Sequence, residues 1–89
     1  MEITNKVVVI TGGAGGIGLA LAKSFLEESP KMVVLVDVNF INLKFKNEKL
    51  ICKKCDVTNQ LYFDKLIDEI NNDFGLIDIF CSNAGILSL

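Results

Sequence analysis

An uninterrupted run of β-branched residues that passes directly into glycines constrains this chain more than any other feature. Lys6 to Thr11 reads KVVVIT, and Gly12-Gly13-Ala14-Gly15-Gly16-Ile17-Gly18 follows at once. Apolar residues without alternation mark a strand buried on both faces, which requires helices on both sides of a parallel sheet. The next segment supplies such a helix. From Gly16 to about Glu28 the apolar residues Ile17, Leu21, Ala22, Phe25 and Leu26 recur at helical spacing, and Pro30 stops the pattern.

The alternation continues to the end of the 89 residues. Met32 to Asp37 (MVVLVD) predicts a second buried strand, and Lys49 to Cys55 a third. Thr58 is placed to cap a helix running to about Asn72, with Phe63, Leu66, Ile67, Ile70 and, just past its end, Phe74 on the inward stripe. Ile77 to Cys81 predicts a fourth strand. Strand–helix–strand units joined by right-handed crossovers give an α/β fold, a partial Rossmann-like, doubly wound parallel sheet of about four strands in the order 3-2-1-4. The chain reads as one domain, residues 1–89, truncated after the fourth strand. The crossover from Val38 to Glu48 is near the minimum length, so a short or irregular helix is expected there. Ending on an apolar edge strand, the chain alone is expected to be marginally stable.

Composition narrows the function classes. Nine lysines, no arginine and eleven acids give a net charge of −2, with no basic patch to suggest a nucleic-acid partner. No apolar run reaches the roughly eighteen residues of a membrane span, and the N-terminal residues do not form a signal peptide. Three cysteines at irregular positions do not suggest a secreted disulfide framework, which leaves the cytoplasm as the expected location.

The glycine loop carries the first chemical signal. A phosphate group needs backbone N–H donors at close range, and glycines admit it where side chains would obstruct it. The helix that follows adds unpaired N–H groups and a partial positive charge. The bland alternative is a surface turn, but a strand before and a helix after favour the phosphate site. Asp37 ends the second strand, 19 residues beyond Gly18. In this fold that position brings a carboxylate to the adenosine ribose, where it accepts from both hydroxyls and repels a 2′-phosphate. Val38 beside it adds no positive charge. A solvated strand-end acid is the alternative.

Taken together, the motifs resemble those of the short-chain dehydrogenase/reductase family. Thr11, Gly12, Gly16 and Gly18 match its TGxxxGxG cofactor motif, and Asp56 in Cys55-Asp56-Val57-Thr58 matches its third-strand acid. Ser82-Asn83-Ala84-Gly85 matches its NNAG segment, with serine for the first asparagine. The resemblance covers essentially the whole chain. It implies an NAD cofactor bound by Gly12, Gly15, Gly16, Ile17, Gly18, Asp37, Asp56, Val57, Asn83, Ala84 and Gly85. Gly15 stands where NADP-preferring relatives often carry a basic residue. In the family, Asp56 would meet the adenine.

The same resemblance implies that the catalytic serine, the Tyr-x-x-x-Lys pair and a helix asparagine lie beyond the NNAG segment, and the chain ends four residues after Gly85. Its one tyrosine, Tyr62, is followed four positions later by Leu66, so no catalytic residue is assigned. The intact protein would move hydride between NAD and an alcohol or carbonyl substrate, and the resemblance allows a homo-oligomer. Two other readings stay open: a nucleotide-binding or regulatory module without catalysis, and a remnant that does not fold alone.

Other features weigh less. Cys52-Lys53-Lys54-Cys55 lacks the second ligand pair of a zinc site and lies on a strand rather than at a helix start. Phe25, Phe63 and Phe74 read as core, while Phe40 and Phe45 either pack on the sheet or border the adenine site.

Overall fold

The computed structural model describes residues 2–12, 16–38, 44–82 and 85–88. Strand β1 (Val7–Thr11) leads to helix α1 (Gly16–Leu26), then β2 (Met32–Asp37) and β3 (Leu50–Lys54). Helix α2 (Gln60–Phe74) returns the chain to β4 (Ile79–Ser82), and β5 (Gly85–Ser88) completes the described order. The sheet runs β3-β2-β1-β4-β5. Its first four strands are parallel, in the 3-2-1-4 order that the alternation implies.

The fifth strand is not foreshadowed by the sequence pattern. It pairs antiparallel with β4, Ser82 opposite Gly85 and Ile79 opposite Ser88. A four-residue segment is too short for periodicity to reveal. Its presence corrects two expectations: strand pairing continues past the fourth strand, and β4 is not the edge. The other edge, β3, carries Lys53 and Lys54, charges that discourage pairing with another chain.

The valine runs explain why the sheet is central. All five residues of β1 are buried, as are Val33 to Val36 of β2. Alternate residues serve opposite faces. Val8, Ile10, Val33, Leu35, Ile79 and Cys81 pack with Ala22 on the α1 side. Val7, Val9, Val34 and Val36 pack with Leu66, Ile70 and Ile77 on the α2 side. Ile67 and Phe74 join this second cluster, and Phe63 meets Phe80 edge-on, ring centroids 5.8 Å apart.

Element ends follow local chemistry. Helix α1 stops at Leu26, about two residues earlier than its periodicity suggests. The Glu28 N–H turns back to the Phe25 carbonyl (3.0 Å), and Ser29 takes a left-handed φ of 57° before Pro30. Asn59, not Thr58, caps α2: its side chain accepts the Tyr62 N–H at 3.1 Å. The helix then runs past Asn72 to Phe74, and Gly75, at φ 102°, donates its N–H to the Asn71 carbonyl. Lys49 and Cys55 fall just outside β3, and Ile77 precedes β4. Asp78 clasps the start of β1, its carboxylate accepting the Val7 N–H and its own N–H donating to the Val7 carbonyl, both at 2.9 Å.

The short crossover is only partly described. Residues 44–47 are irregular and 48–49 form a turn, while 39–43, including Phe40, lie outside the described residues. Phe45 is half-buried beneath Lys23 of α1, whose ammonium sits 4.8 Å from the ring centroid, so it packs against a helix.

Candidate nucleotide site

The parallel strands end together, and the candidate residues gather at that edge. Thr11 closes β1, Asp37 closes β2, and Cys55 and Asp56 directly follow β3. The Cys55 N–H donates to the Asp37 carbonyl at 3.0 Å, which locks the two acidic positions side by side. Between them lies a recess of about 200 Å³ lined by Thr11, Gly12, Val36, Asp37, Val38, Cys55, Asp56, Val57 and Thr58.

The glycine turn forms one border. Gly12 has φ 70°, a left-handed conformation that L side chains rarely adopt, and it swings the chain off β1. Gly16 is the exposed first residue of α1, and a Cβ added there would meet nothing within 4 Å. Open space therefore lies beside Gly16 at the first turn of α1, where a helix leaves its N–H groups without intrahelical partners. Gly18 is buried within α1. Ile17 corrects an expectation: counted among the helix's inward apolar residues, it is 80% exposed. It occupies the first helical turn, ahead of the buried face that begins at Gly18 and continues at Ala22. Gly13, Ala14 and Gly15 lie outside the described residues.

Each recess carboxylate is held by local donors. Asp37 Oδ1 accepts the Val38 N–H at 2.7 Å. Asp56 Oδ1 accepts both the N–H of Thr58, at 3.0 Å, and its hydroxyl, at 2.6 Å. The Thr58 hydroxyl and N–H hold the Asp56 carboxyl below the usual carboxylate range. Burial pushes the neighbouring Cys55 thiol up, and the Asp56 charge adds to the effect. On the far side, the buried Thr11 hydroxyl donates to the Cys81 carbonyl at 3.4 Å, joining the ends of β1 and β4.

The structure thus brings Gly12, Asp37, Asp56 and Val57 together at one recess, with Gly16 and Ile17 at the nearby helix start. Asn83 and Ala84 lie outside the described residues. Gly85 lies in β5 opposite Ser82. Sequence reasoning missed Thr58 as a partner of Asp56, although the Asp-x-Thr spacing is a known local hydrogen-bonding pattern. It also missed Thr11 as a clasp to β4.

Two larger concavities adjoin α2. One of about 460 Å³ shares Val38, Cys55 and Asp56 with the recess and extends past Tyr62 and Lys65 to the Lys53–Glu69 ion pair. The other, about 570 Å³, is an apolar groove between α2 and β4, walled by Phe63, Ile67, Leu76 and Phe80. Among the described residues, neither is lined by Gly12 or Gly16. Cys52, Cys55 and Cys81 are free thiols, and among the described residues no group of three potential metal ligands occurs. Among those residues, too, no helix is long and apolar enough to cross a membrane.

Comparison with known proteins agrees with this geometry. Residues 6–89 match the short chain dehydrogenase family. The sorbose reductase of Candida albicans is 37% identical over 96% of this chain and 32% of its own length. The NAD-dependent glycerol dehydrogenase of Listeria innocua is 33% identical over 99% of this chain and 36% of its own length. Among solved structures, a short chain dehydrogenase from Leptospira borgpetersenii with bound NAD+ superposes with a TM-score of 0.77 at 29% identity, covering 89% of this chain and 31% of that one. The ligand-free aldohexose dehydrogenase of Thermoplasma acidophilum gives 0.79 at 30% identity, covering 92% and 30%. The chain spans about a third of the length of these relatives.

Proposed function

Because the chain belongs to the short-chain dehydrogenase family, we propose that it is the NAD(H)-binding portion of a longer, cytoplasmic oxidoreductase that moves hydride between NAD and an alcohol or carbonyl substrate. The observation that carries this reading is the recess at the strand ends, where an open helix start and two pinned carboxylates share one edge of the sheet. The fit to a dinucleotide is specific in its parts. The space at Gly16 admits a pyrophosphate to the N–H groups of α1. Ile17, exposed at the same turn, is an apolar surface that a bound cofactor covers. Asp37 meets the ribose, and Asp56 with Val57 meets the base.

Bound NAD would supply the hydride acceptor; the residues of this chain bind and orient it. A charge-assisted hydrogen bond from a ribose hydroxyl to Asp37 contributes about 1.5–3 kcal/mol, roughly ten- to a hundredfold in affinity. The same carboxylate repels a 2′-phosphate, so NAD is preferred over NADP. The chain by itself is catalytically inactive in this proposal. Its tyrosine, Tyr62, lines the neighbouring concavity rather than the recess, and Lys65 stands at the wrong spacing from it for a proton-relay pair. A second reading, a nucleotide-binding module without catalysis, is favoured by one observation: the recess offers carboxylates and hydroxyls for binding but no tyrosine or lysine.

Dissociation constants for NAD and NADP, measured on the chain and on a longer form carrying any downstream Tyr-x-x-x-Lys, test the proposal. NAD binds more tightly in both, and only the longer form turns over. Tighter NADP binding overturns the cofactor assignment, and absence of turnover in the longer form favours the module.

A further inference from the structure

Charge is unevenly spread along this chain. Residues 44–54 hold Lys44, Lys46, Lys49, Lys53 and Lys54 against the single acid Glu48, although the whole chain carries a net charge of −2. Lys44, Lys46 and Lys49 are exposed on the crossover that leads into β3, and Lys53 and Lys54 lie in β3 itself. Lys65 of α2 faces the same region. With Lys53 and Lys54 it lines the concavity of about 460 Å³ between β3 and α2, where Tyr62 and Leu66 supply an apolar wall. Two acids share that concavity. Glu69 is bridged to Lys53, and Asp56 is held by the Thr58 hydroxyl. The Lys53–Glu69 bridge is the one ion pair among the described residues, so Lys54 and Lys65 have no acidic partner there.

An open backbone edge runs beside these lysines, for β3 is the outermost strand of the sheet. The Val33 N–H bonds to the Lys49 carbonyl at 2.8 Å, and the Cys55 N–H to the Asp37 carbonyl at 3.0 Å. In a parallel ladder alternate residues face the neighbouring strand, so Ile51 and Lys53 also turn to β2. The N–H and C=O groups of Cys52 and Lys54 therefore point outward, and no described residue pairs with them. Lysines along such an edge repel the same edge of a second copy. The same charges attract a strand that carries acids.

We infer that the outer edge of β3, with the concavity between it and α2, is a docking site for an extended acidic segment of a partner protein, which adds a strand to the sheet. The inference stands apart from the nucleotide reading of the recess. Main-chain bonds to Cys52 and Lys54 supply the pairing, and side chains on alternate faces of the added strand supply the selectivity. Its carboxylates meet the lysines, and its apolar residues reach Tyr62 and Leu66. The open ladder favours a peptide over a nucleic acid, whose backbone has no row of N–H and C=O groups to continue it.

The test uses a fluorescein-labelled hexapeptide of alternating glutamate and valine. Its binding to the full 89-residue chain is followed by anisotropy, beside the matching lysine–valine peptide and a single-stranded oligothymidylate. The acidic peptide binds about tenfold or more tightly than the basic one, and added salt weakens it. N-methylation of the amides on one edge of the acidic peptide keeps its charge but removes its ladder donors, and weakens binding by about tenfold. The double variant Lys54→Glu, Lys65→Glu reverses the preference between the two peptides. Cys52→Pro removes an outward N–H and leaves the bonds to β2 in place; it weakens the acidic peptide several-fold while hydrogen exchange at Ile51 and Lys53 stays as in the wild type.

Equal binding of the acidic and basic peptides overturns the inference, as does no binding of either. Undiminished binding of the N-methylated peptide also overturns it, since the lysines would then act as a diffuse charge without strand addition. Tighter binding of the oligothymidylate than of the acidic peptide assigns the lysines to a nucleic acid instead. The N-methylated arm uses the wild-type chain, so it decides the matter even if Cys52→Pro does not fold.

Discussion

At Gly16 the requirements of the fold and of the ligand separate. A Cβ added at this position meets nothing within 4 Å among the described residues beyond its own helix and chain neighbours, so Gly16→Val intrudes on the proposed ligand rather than on the protein. The variant is expected to melt like the wild type, within about 0.5 kcal/mol for an exposed site, while losing detectable NAD binding; calorimetry beside a thermal melt checks both. Gly18→Val, by contrast, falls on a buried helical position and lowers stability as well. Cys81 gives a prediction in pH. It is fully buried between the sheet and α1, and burial pushes its thiol above the usual range. The unfolded thiol ionises first, above about pH 8.5, so the unfolded state then holds fewer protons and stability falls as pH rises. Replacing Cys81 with Ala flattens the decline in melting temperature between about pH 8 and 10; an unchanged slope assigns it to other groups. At this scale the candidate residues were legible as a pattern because the proposed chemistry dictates them: a phosphate turn calls for glycine, and a ribose contact at a strand end for an acid. Thr58 was legible only as a hydroxyl before a helix. Spacing alone does not decide between a helix N–H and the Asp56 carboxylate as its partner, and the structure gives it to the carboxylate.

Among the elements, β1 and β2 were the most legible, because β-branched runs buried on both faces have few other uses. Leu35, central in β2 and fully buried on the α1 face, shows what such positions contribute. Leu35→Ala is expected to cost about 2–5 kcal/mol, a large fraction of the stability of a small domain, and a urea titration measures it. The boundaries were less legible. Asn59 caps α2, so Asn59→Ala costs about 1 kcal/mol, while Thr58→Ala leaves the helix cap intact; a larger stability loss at Thr58 than at Asn59 contradicts that assignment. β5 was not legible because its pairing partner, not its own composition, defines it.

For the whole molecule, the radius of gyration of 11.9 Å is close to the roughly 12 Å of a compact chain this long. Its exposed apolar surface is therefore a local feature and not a sign of expansion. Leu76, 78% exposed, borders the groove between α2 and β4, away from the concavity that reaches the Lys53–Glu69 pair. Leu76→Lys is expected to raise the concentration at which the chain aggregates without changing its affinity for NAD, as light scattering and calorimetry together would show. The topology was readable from the alternation of strands and helices, and the clustering of Asp37, Asp56 and the glycine turn follows from that topology. The substrate was not readable, since the role proposed for the recess residues concerns the cofactor alone.

The central claim is that the edge formed by the ends of β1, β2 and β3 with the start of α1 binds NAD. Titrating isotope-labelled chain with NAD while following backbone amide resonances tests it most directly. Saturable shifts are expected at Gly12, Gly16, Ile17, Val38, Val57 and Thr58, weaker with NADP and absent in Gly16→Val. Saturable shifts centred instead on the apolar groove at Phe63, Ile67 and Phe80, or a folded chain whose spectrum NAD leaves unchanged, would contradict it.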